Sequence, residues 1–173
     1  MTYIMVDVEA DGPCPGLYSM VSLGAVVVEP SLNRTFYMQF RPISDQWIPQ
    51  ALAVSGHSRT ECLEFTQPKI GMECFDGWLK TLNTKVYFMS DNNGFDWQFV
   101  NYYFWKFLNK NPFGHSSINL GSLYKGLERD MFKNFKHLRK TKHTHHPVDD
   151  ARGNAEAFLT IQNQFQLKTV KSK

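Results

Sequence analysis

The sequence has few cysteines, no long apolar run and little net charge. Its 173 residues include three cysteines, Cys14, Cys62 and Cys74, which form no close pair and no metal-ligand spacing. An odd, sparse count favours a reducing compartment over a disulfide scaffold. No apolar run approaches the ~20 residues that cross a bilayer, and the first ten residues lack the basic start of a secretory signal. We therefore expect a cytoplasmic protein with no membrane contact.

The composition predicts a folded chain. Disordered chains are poor in aromatics, whereas 14% of these residues are aromatic and 42% are hydrophobic. The formal net charge of +3 is too small to indicate nucleic-acid binding and too positive to exclude it. The length fits one domain, which we place at residues 1–167. We predict that the basic tail at residues 168–173 is disordered.

Hydrophobic periodicity predicts an α/β domain. Strands are expected at residues 3–8, 21–28, 34–40, 85–89 and 117–120. Helices are expected at residues 69–81, 96–108, 121–132 and 148–164, the first with Ile70, Cys74, Trp78 and Leu79 on one face. The second helix is apolar nearly all round, so Phe104, Trp105 and Phe107 are interpreted as core. Residues 43–68 show no sustained period and predict an irregular segment with one short helix. The chain begins with consecutive strands and continues with strands that alternate with helices. This order predicts a layered α/β domain with a mixed sheet.

Acidic side chains stand at the ends of predicted strands and the starts of predicted helices. Asp7 and Glu9 are two apart on the first strand, so both leave the same face. Asp96 and Asp150 each open a helix, where an acid is also ordinary because it caps the helix or meets its dipole. Four carboxylates can converge at one sheet edge, and such hard oxygen ligands suit Mg²⁺ or Mn²⁺ rather than zinc. Two divalent ions ~3.5–4 Å apart, with a histidine taking the proton, are a common device for displacement at a phosphodiester.

The histidines before the last helix have several interpretations. His143, His145 and His146 lie in a basic loop, so a solvated surface run is one of them. Nickel-type or zinc binding by the three is another, although the spacing is loose and no cysteine accompanies it. The third is that His145, with four residues between it and Asp150, serves the same reaction as the acids.

Three motifs, in order, resemble those of the DnaQ-like (DEDDh) 3′→5′ exonucleases. The first is Asp7-Val-Glu9 with Gly12 behind it, and the second is Asn92 four residues before Asp96. The third is HHPVDDARGNAEAF, which begins at residue 145. The passage IPQALAVSGHSRTECL, which contains His57, also resembles the middle part of the family. The resemblance covers about residues 1–160.

The resemblance implies a ribonuclease H-like α/β fold with a five-stranded mixed sheet flanked by helices. It implies that Asp7, Glu9 and Asp150 bind one divalent ion, that Asp7 bridges to a second, and that Asp96 holds the second through water. His145 would be the general base. His146 with Asp149 is the competing register, but only His145 has the four-residue gap before Asp150.

The expected activity is metal-dependent 3′→5′ hydrolysis of single-stranded nucleic acid to nucleoside 5′-monophosphates. RNA is slightly favoured over DNA, because the third motif resembles that of oligoribonuclease-type members. A non-catalytic nucleic-acid-binding module and a metal-dependent phosphohydrolase of small nucleotides are the alternatives. The resemblance also allows a homodimer.

Substrate contacts are expected beside the acids. Phe95 and Trp97 flank Asp96 and could stack on a terminal base. Ala10-Asp11 replaces the family's usual Thr-Thr, and Asp91 stands where a histidine often precedes Asn92, so both changes would add negative charge near the phosphate path. The predicted substrate contacts are Asn92, Phe95, Trp97, Ala10, Asp11, Gly12 and His57.

The basic stretch at residues 133–146 leads directly into His145. It holds five of the 19 Lys and Arg residues. Its side chains fit a solvated loop, and the stretch is also well placed to contact a nucleic-acid backbone, a contact worth most at low salt.

Overall fold

A five-stranded mixed sheet forms the centre of the protein. The computed structural model describes residues 1–168. Its strands are β1 (Thr2–Ala10), β2 (Met20–Val27), β3 (Thr35–Gln39), β4 (Val86–Ser90) and β5 (Ser117–Asn119), in the order β3-β2-β1-β4-β5. β1, β2 and β3 pair antiparallel, and β4 and β5 continue the sheet parallel to β1. The predicted α/β class and the mixed sheet are confirmed.

Within residues 1–168, six α-helices and one short 3-10 helix (Lys136–Leu138) accompany the sheet. The α-helices are α1 (Pro49–Val54), α2 (Arg59–Cys62), α3 (Pro68–Thr81), α4 (Asp96–Leu108), α5 (Leu120–Glu128) and α6 (Pro147–Gln164). Proline opens α1, α3 and α6, where its missing N–H would have no helical partner. The predicted irregular segment at residues 43–68 contains two short helices rather than one. The second, α2, is fixed by a capping box between Ser58 and Glu61.

The two faces of the sheet carry two separate cores. Ile4, Val6 and Val8 of β1 pack with buried residues of α3 and α4, such as Phe75 and Phe99. Met5 points to the other face, where it packs against α6. Side chains alternate along a strand, so Asp7 and Glu9 continue on the α6 side. The acids therefore stand at the end of a strand whose position is fixed by burial on both faces.

The helices differ from their prediction in three respects: the buried face of α3, the exposure of Trp105 in α4 and the end of α5. In α3 the buried side chains include Met72, Phe75 and Leu79, whereas Ile70 is exposed. Cys74 is exposed as well, so the predicted face was wrong for Ile70 and Cys74. In α4 the sheet covers one side only, which leaves the predicted core residue Trp105 exposed. Phe104 is buried and Phe107 packs partly buried against the same core. The third predicted helix ends early at Glu128, because Arg129 adopts a left-handed conformation with φ of 56°.

Among the described residues, no helix is long and apolar enough to cross a membrane. Residues 169–173, nearly all of the predicted basic tail, lie outside the described residues.

Gly24 allows the start of α6 to lie directly on the sheet. Gly24 pairs with Asp7 on one side and with Tyr37 on the other. A Cβ at this position would overlap the backbone of Pro147 and Val148. The first turn of α6, which carries Asp150, is therefore as close to Asp7 as backbone packing permits.

Replacing Gly24 by alanine should push α6 away from Asp7. Overpacking of this kind costs at least ~2 kcal/mol, because backbone rather than a flexible side chain must move. We expect a lower melting temperature and a large loss of turnover in Gly24→Ala, measured by thermal unfolding and an oligonucleotide assay.

Gly77→Ala is the matched control. Gly77 is an exposed helical glycine with open space around its Cβ, so alanine should stabilise α3 by up to ~1 kcal/mol. Equal stability and activity in the two variants would show that the close approach at Gly24 is unimportant.

Candidate active site

Asp7 and Glu9 lie near the C-terminal end of β1, and the pairing of this strand within the sheet fixes their positions. β1 lies between β2 and β4, and its register with β2 shifts between Glu9 and Ala10. Such irregularities bend a strand and end regular pairing, and they are common beside active sites. The two carboxylates thus stand at the edge of the sheet where β1 and β4 both end.

Asp96 is held against β1 by backbone hydrogen bonds. It is the first residue of α4 and is 4% exposed. Its Oδ1 accepts from the backbone N–H of Val8 at 3.1 Å. Its own N–H donates to the carbonyl of Asn92 at 2.9 Å, which fixes the turn between β4 and α4. Val8, which lies between Asp7 and Glu9 on β1, therefore positions Asp96.

Asp150 is held by the loop that precedes it. The backbone N–H groups of Thr144 and His145 donate to its two carboxylate oxygens at 3.0 and 3.1 Å. The carboxylate is 1% exposed and lies in the first turn of α6. His145 itself has a φ of 59°, a conformation that non-glycine residues adopt rarely and that clusters at functional sites.

The acids from β1 and α6 meet at one place. Asp7, Glu9 and Asp150 each offer a carboxylate oxygen, and these oxygens lie within 4.8 Å of one another. Asp96 joins them electrostatically, because its charge raises the pKa of Asp7 and of Glu9. An all-oxygen donor set of this kind fits Mg²⁺ or Mn²⁺.

Burial and mutual repulsion make these carboxyl groups hard to ionise. Burial, and then the charges of Asp150 and Asp96, raise the pKa of Glu9 from 4.5 to about 7. Burial raises the pKa of Asp96 to about 7, against the hydrogen bonds from Ser90 and Val8, which lower it. The pKa of Asp7 is also raised, first by burial and then by Asp96, Asp150 and Glu9. A bound cation would compensate the negative charges of these carboxylates and so reduce their mutual repulsion.

His145 is the histidine that faces Glu9. Its Nδ1 lies 3.7 Å from Glu9 Oε1, and its side chain is half exposed at the mouth of the site. The ring of His146, the residue of the competing register, instead packs against Tyr37 with centroids 4.7 Å apart. Asp149, the acid of that register, accepts from the hydroxyl of Thr144 at 3.1 Å.

His143 is a neighbour of the acids that the motifs did not single out. Its Nδ1 lies 2.8 Å from Asp150 Oδ2, and its ring centroid is 4.2 Å from that of His145. His143, His145 and Asp150 offer ligand atoms within 4.8 Å of one another. From the sequence, His143 was interpreted only as part of a solvated run or of a histidine metal site, because its contact with Asp150 depends on how the loop folds back.

Arg139 is a second neighbour of the acids, and the sequence indicated it only as one member of the basic stretch at residues 133–146. It is nearly buried, and its charge lowers the pKa of Asp7. Its guanidinium pairs with Asp91 at 3.0 Å, and its Nε has no hydrogen-bond partner among the described residues. Asp91 was expected to add negative charge near the phosphate path. That expectation is corrected, because Arg139 compensates the charge.

Asp11 is also neutralised by an arginine, and it is closed off from solvent. It is fully buried, accepts from Ser19 N at 2.5 Å, and pairs with Arg59 at 2.7 Å. Arg59 also donates to the carbonyl of Ser44. Asp11 therefore ties the end of β1 to the segment after β3, and its predicted role as a substrate contact was wrong.

The other predicted contacts differ in accessibility. The side chain of Ala10 is buried in the core, and the ring of Tyr18 occupies the space where a Cβ of Gly12 would lie. These two offer a substrate no side chain. His57 is part-buried, with its Nε2 2.9 Å from Gln39 Nε2 and its ring against Phe65.

The aromatic residues beside Asp96 pack mainly against the core. Trp97 lies edge-on to buried Phe88 at 5.0 Å, and Phe95 lies 5.1 Å from Phe99. Both remain partly exposed, whereas Asn92 is exposed at the turn. The part-buried rings can line the site, although neither is a free stacking platform.

Comparison with known proteins identifies the class. The family model described as RNase_T, Exonuclease, matches residues 4–158, so the chain belongs to this family. It is a DnaQ-like 3′→5′ exonuclease that acts on nucleic acid, in a family that uses divalent metal ions. This confirms the expected enzyme class.

An individual relative and two solved structures agree with that assignment. The 3′-5′ DNA exonuclease Cap18 of Escherichia coli is 34% identical over 178 residues, which cover 96% of this chain and 94% of Cap18. Cell-death related nuclease 4 (CRN-4) matches with a TM-score of 0.77 at 15% identity, over 94% of this chain and 64% of its own. The nuclease domain of 3′hExo, a DEDDh family member bound to rAMP, matches with a TM-score of 0.76 at 14% identity, over 99% of this chain and 97% of its own. The predicted ribonuclease H-like fold is thereby confirmed.

The raised pKa values predict how the stability of the metal-free protein depends on pH. A carboxyl whose pKa is higher in the folded state binds its proton more tightly there, so protonation stabilises the fold. For Glu9 this stabilisation is present below pH 4.5 and is lost as the pH rises to about 7. Thermal unfolding in EDTA should therefore show a lower melting temperature at pH 8 than at pH 5.5.

Mn²⁺ should reverse this effect, because it binds the folded state. Asp7→Asn removes one of the repelling charges, so it should flatten the pH dependence in EDTA and reduce the gain from Mn²⁺. A variant that gains as much from Mn²⁺ as the wild type would contradict the assignment of Asp7 as a ligand.

Proposed function

We propose that this exonuclease removes nucleotides from the 3′ end of single-stranded DNA by a two-metal reaction that releases nucleoside 5′-monophosphates. The observation that carries the proposal is the convergence of oxygens from Asp7, Glu9 and Asp150 within 4.8 Å. A cluster of acids would weaken simple binding of a polyanion, whereas hydrolysis at phosphorus with divalent ions requires such a cluster.

The chain's own groups have distinct roles in this reaction. Asp7, Glu9 and Asp150 would hold one divalent ion, and Asp7 and Asp96 the second. When bound, the ions lower the pKa of the attacking water and neutralise charge on the leaving oxygen. His145 accepts the proton of that water, since it is half exposed beside Glu9 and can pass the proton to solvent.

The products follow from where the water attacks. The oxygen of water forms a bond to phosphorus as the bond from phosphorus to the 3′ oxygen breaks. The phosphate stays on the terminal nucleoside as a 5′-monophosphate, and the released 3′ oxygen takes a proton from solvent, so the shortened strand ends in a 3′-hydroxyl.

DNA is proposed as the substrate on the strength of the relative. Cap18, which this chain matches along 96% of its length, is a DNA exonuclease. The buried Asp11–Arg59 pair also removes the carboxylate that could have accepted a hydrogen bond from a 2′-hydroxyl. The slight preference for RNA that the third motif favours is the alternative outcome of the experiment below.

The histidine ranking is a prediction of its own. His145→Ala should lower kcat by ~10²–10⁴, the usual worth of a general base, with little change in KM. His146→Ala should have a small effect, because its ring lies on Tyr37 rather than on Glu9. Steady-state cleavage of one labelled oligonucleotide at saturating Mn²⁺ measures both.

His143→Ala completes the comparison, because His143 contacts Asp150. Its loss should weaken the affinity for Mn²⁺ more than it lowers kcat at saturating Mn²⁺. A greater loss of kcat in His143→Ala than in His145→Ala would move the role of general base to His143, and one in His146→Ala would favour the competing register.

Matched oligonucleotides test the substrate and the mechanism. Single- and double-stranded DNA and RNA of one sequence should be compared at fixed salt and Mn²⁺. We expect single-nucleotide steps from the 3′ end, with single-stranded DNA cleaved fastest and 5′-monophosphates as products. Faster cleavage of RNA would favour the motif-based expectation, and products with 3′-phosphates would refute the mechanism.

A further inference from the structure

A basic cleft lies beside the carboxylates and has no role in the reaction described above. It has a volume of about 440 Å³ and lies where β4 and β5 end. Its lining includes Asn92, Asn119, Lys125, Lys133 and Lys136. Asn92 is also the residue whose carbonyl holds Asp96. The basic cleft therefore adjoins the place where the 3′ end is cut.

The charge of the basic cleft suits an anion. None of its three lysines forms a salt bridge among residues 1–168. Asp91, the acidic residue that lines the basic cleft, is already paired with Arg139. Three lysines without a salt bridge among the described residues thus line one volume that is large enough for part of a nucleotide chain.

A second groove extends the positive charge along the site. It has a volume of about 260 Å³, shares Lys136 with the basic cleft, and also includes Lys140, Lys142 and His143. Since His143 contacts Asp150, positive charge borders the acids on two sides. Two adjoining basic volumes fit a chain of phosphates better than a single anion.

An exposed aromatic ring stands next to the basic cleft. Phe132 is 96% exposed and directly precedes Lys133. Its N–H donates to Asp130 Oδ1 at 2.9 Å, and the N–H of Lys133 donates to the carbonyl of Asp130 at 3.3 Å. The turn holds the ring in solvent, where both of its faces are open to a flat partner.

We propose that the basic cleft binds phosphates of the substrate strand upstream of the scissile bond, and that Phe132 stacks on one of its unpaired bases. The proposal rests on the proposed function, because it assumes that the 3′ nucleotide lies at Asp7 and Asp150. Phosphate contacts supply affinity without sequence preference, and stacking selects single strands with exposed bases. A free mononucleotide has no upstream phosphate, so the cleft should distinguish chains from single nucleotides.

The experiment removes the cleft's charge and compares two substrates. The variant is the triple change Lys125→Ala, Lys133→Ala and Lys136→Ala. Its control is Lys69→Ala, Lys85→Ala and Lys168→Ala, three exposed lysines that do not line the cleft. The substrates are a single-stranded DNA of ten nucleotides and the p-nitrophenyl ester of thymidine 5′-monophosphate, which has no upstream strand.

The cleft variant should raise KM for the ten-nucleotide strand at least ~10-fold at low salt and leave the ester unchanged. The logarithmic salt dependence of KM should weaken by about 2, since each single-strand phosphate contact contributes ~0.7. The control variant should change KM for the strand much less. Equal effects of the two variants on the strand, or an equal loss on the ester, would overturn the proposal.

Phe132 is tested separately. Phe132→Ala should raise KM for the strand by ~10-fold, as expected for one lost base stack, whereas Phe132→Trp should retain it. Met131→Ala is the control, because Met131 is exposed in the same loop but has no flat ring. If Phe132→Ala and Met131→Ala behave alike, Phe132 does not stack on a base.

Binding separates this proposal from the proposed function. Fluorescence anisotropy of the ten-nucleotide strand, labelled at its 5′ end, is measured with Ca²⁺ in place of Mn²⁺. If the wild type cleaves neither substrate, the proposed function fails, yet lost binding in the cleft variant alone would still support the cleft. Unchanged binding in that variant would refute the cleft whatever the activity.

Discussion

Repulsion among carboxylates at one sheet edge is the constraint on which the rest of the site depends. Two unit charges at the separation found here repel by on the order of 3 kcal/mol at an effective dielectric constant of 20. The fold opposes this mainly with backbone N–H groups, from Val8 to Asp96 and from Thr144 and His145 to Asp150. Because these donors carry no net charge, the acids keep the negative potential that attracts divalent ions.

The same hydrogen bonds link the chemistry to the loop before α6. Holding Asp150 requires the backbone at His145 to turn left-handed, and this turn directs the ring of His145 toward Glu9. The loop that carries the proposed general base also carries every residue that lines the second groove. In the proposed reaction, metal binding, proton transfer and strand binding would therefore all involve this one short segment.

Sequence patterns predicted what is set by local periodicity and spacing. The five strands and the order of the acids follow from alternation and from motifs with fixed intervals. The role of Asp11 could not be predicted, because its partner Arg59 is 48 residues away and belongs to a segment with no period. Trp105 was misplaced for a related reason, since an all-round apolar helix does not reveal which side the sheet will cover. His143 and Arg139 reach the site only through the fold of their loop.

The end of β1 also determines how many carboxylates face the site. Strict alternation beyond Ala10 would place Asp11 on the same face as Asp7 and Glu9. The strand stops there, where its register with β2 shifts, and Asp11 turns inward to Arg59. In the proposed two-metal site, four carboxylates would balance the charge of two divalent cations, and a fifth would leave a negative charge facing the phosphate. One bend in the backbone would thus keep the net charge of the metal-bound site close to zero, so that the site does not repel the phosphates of the substrate.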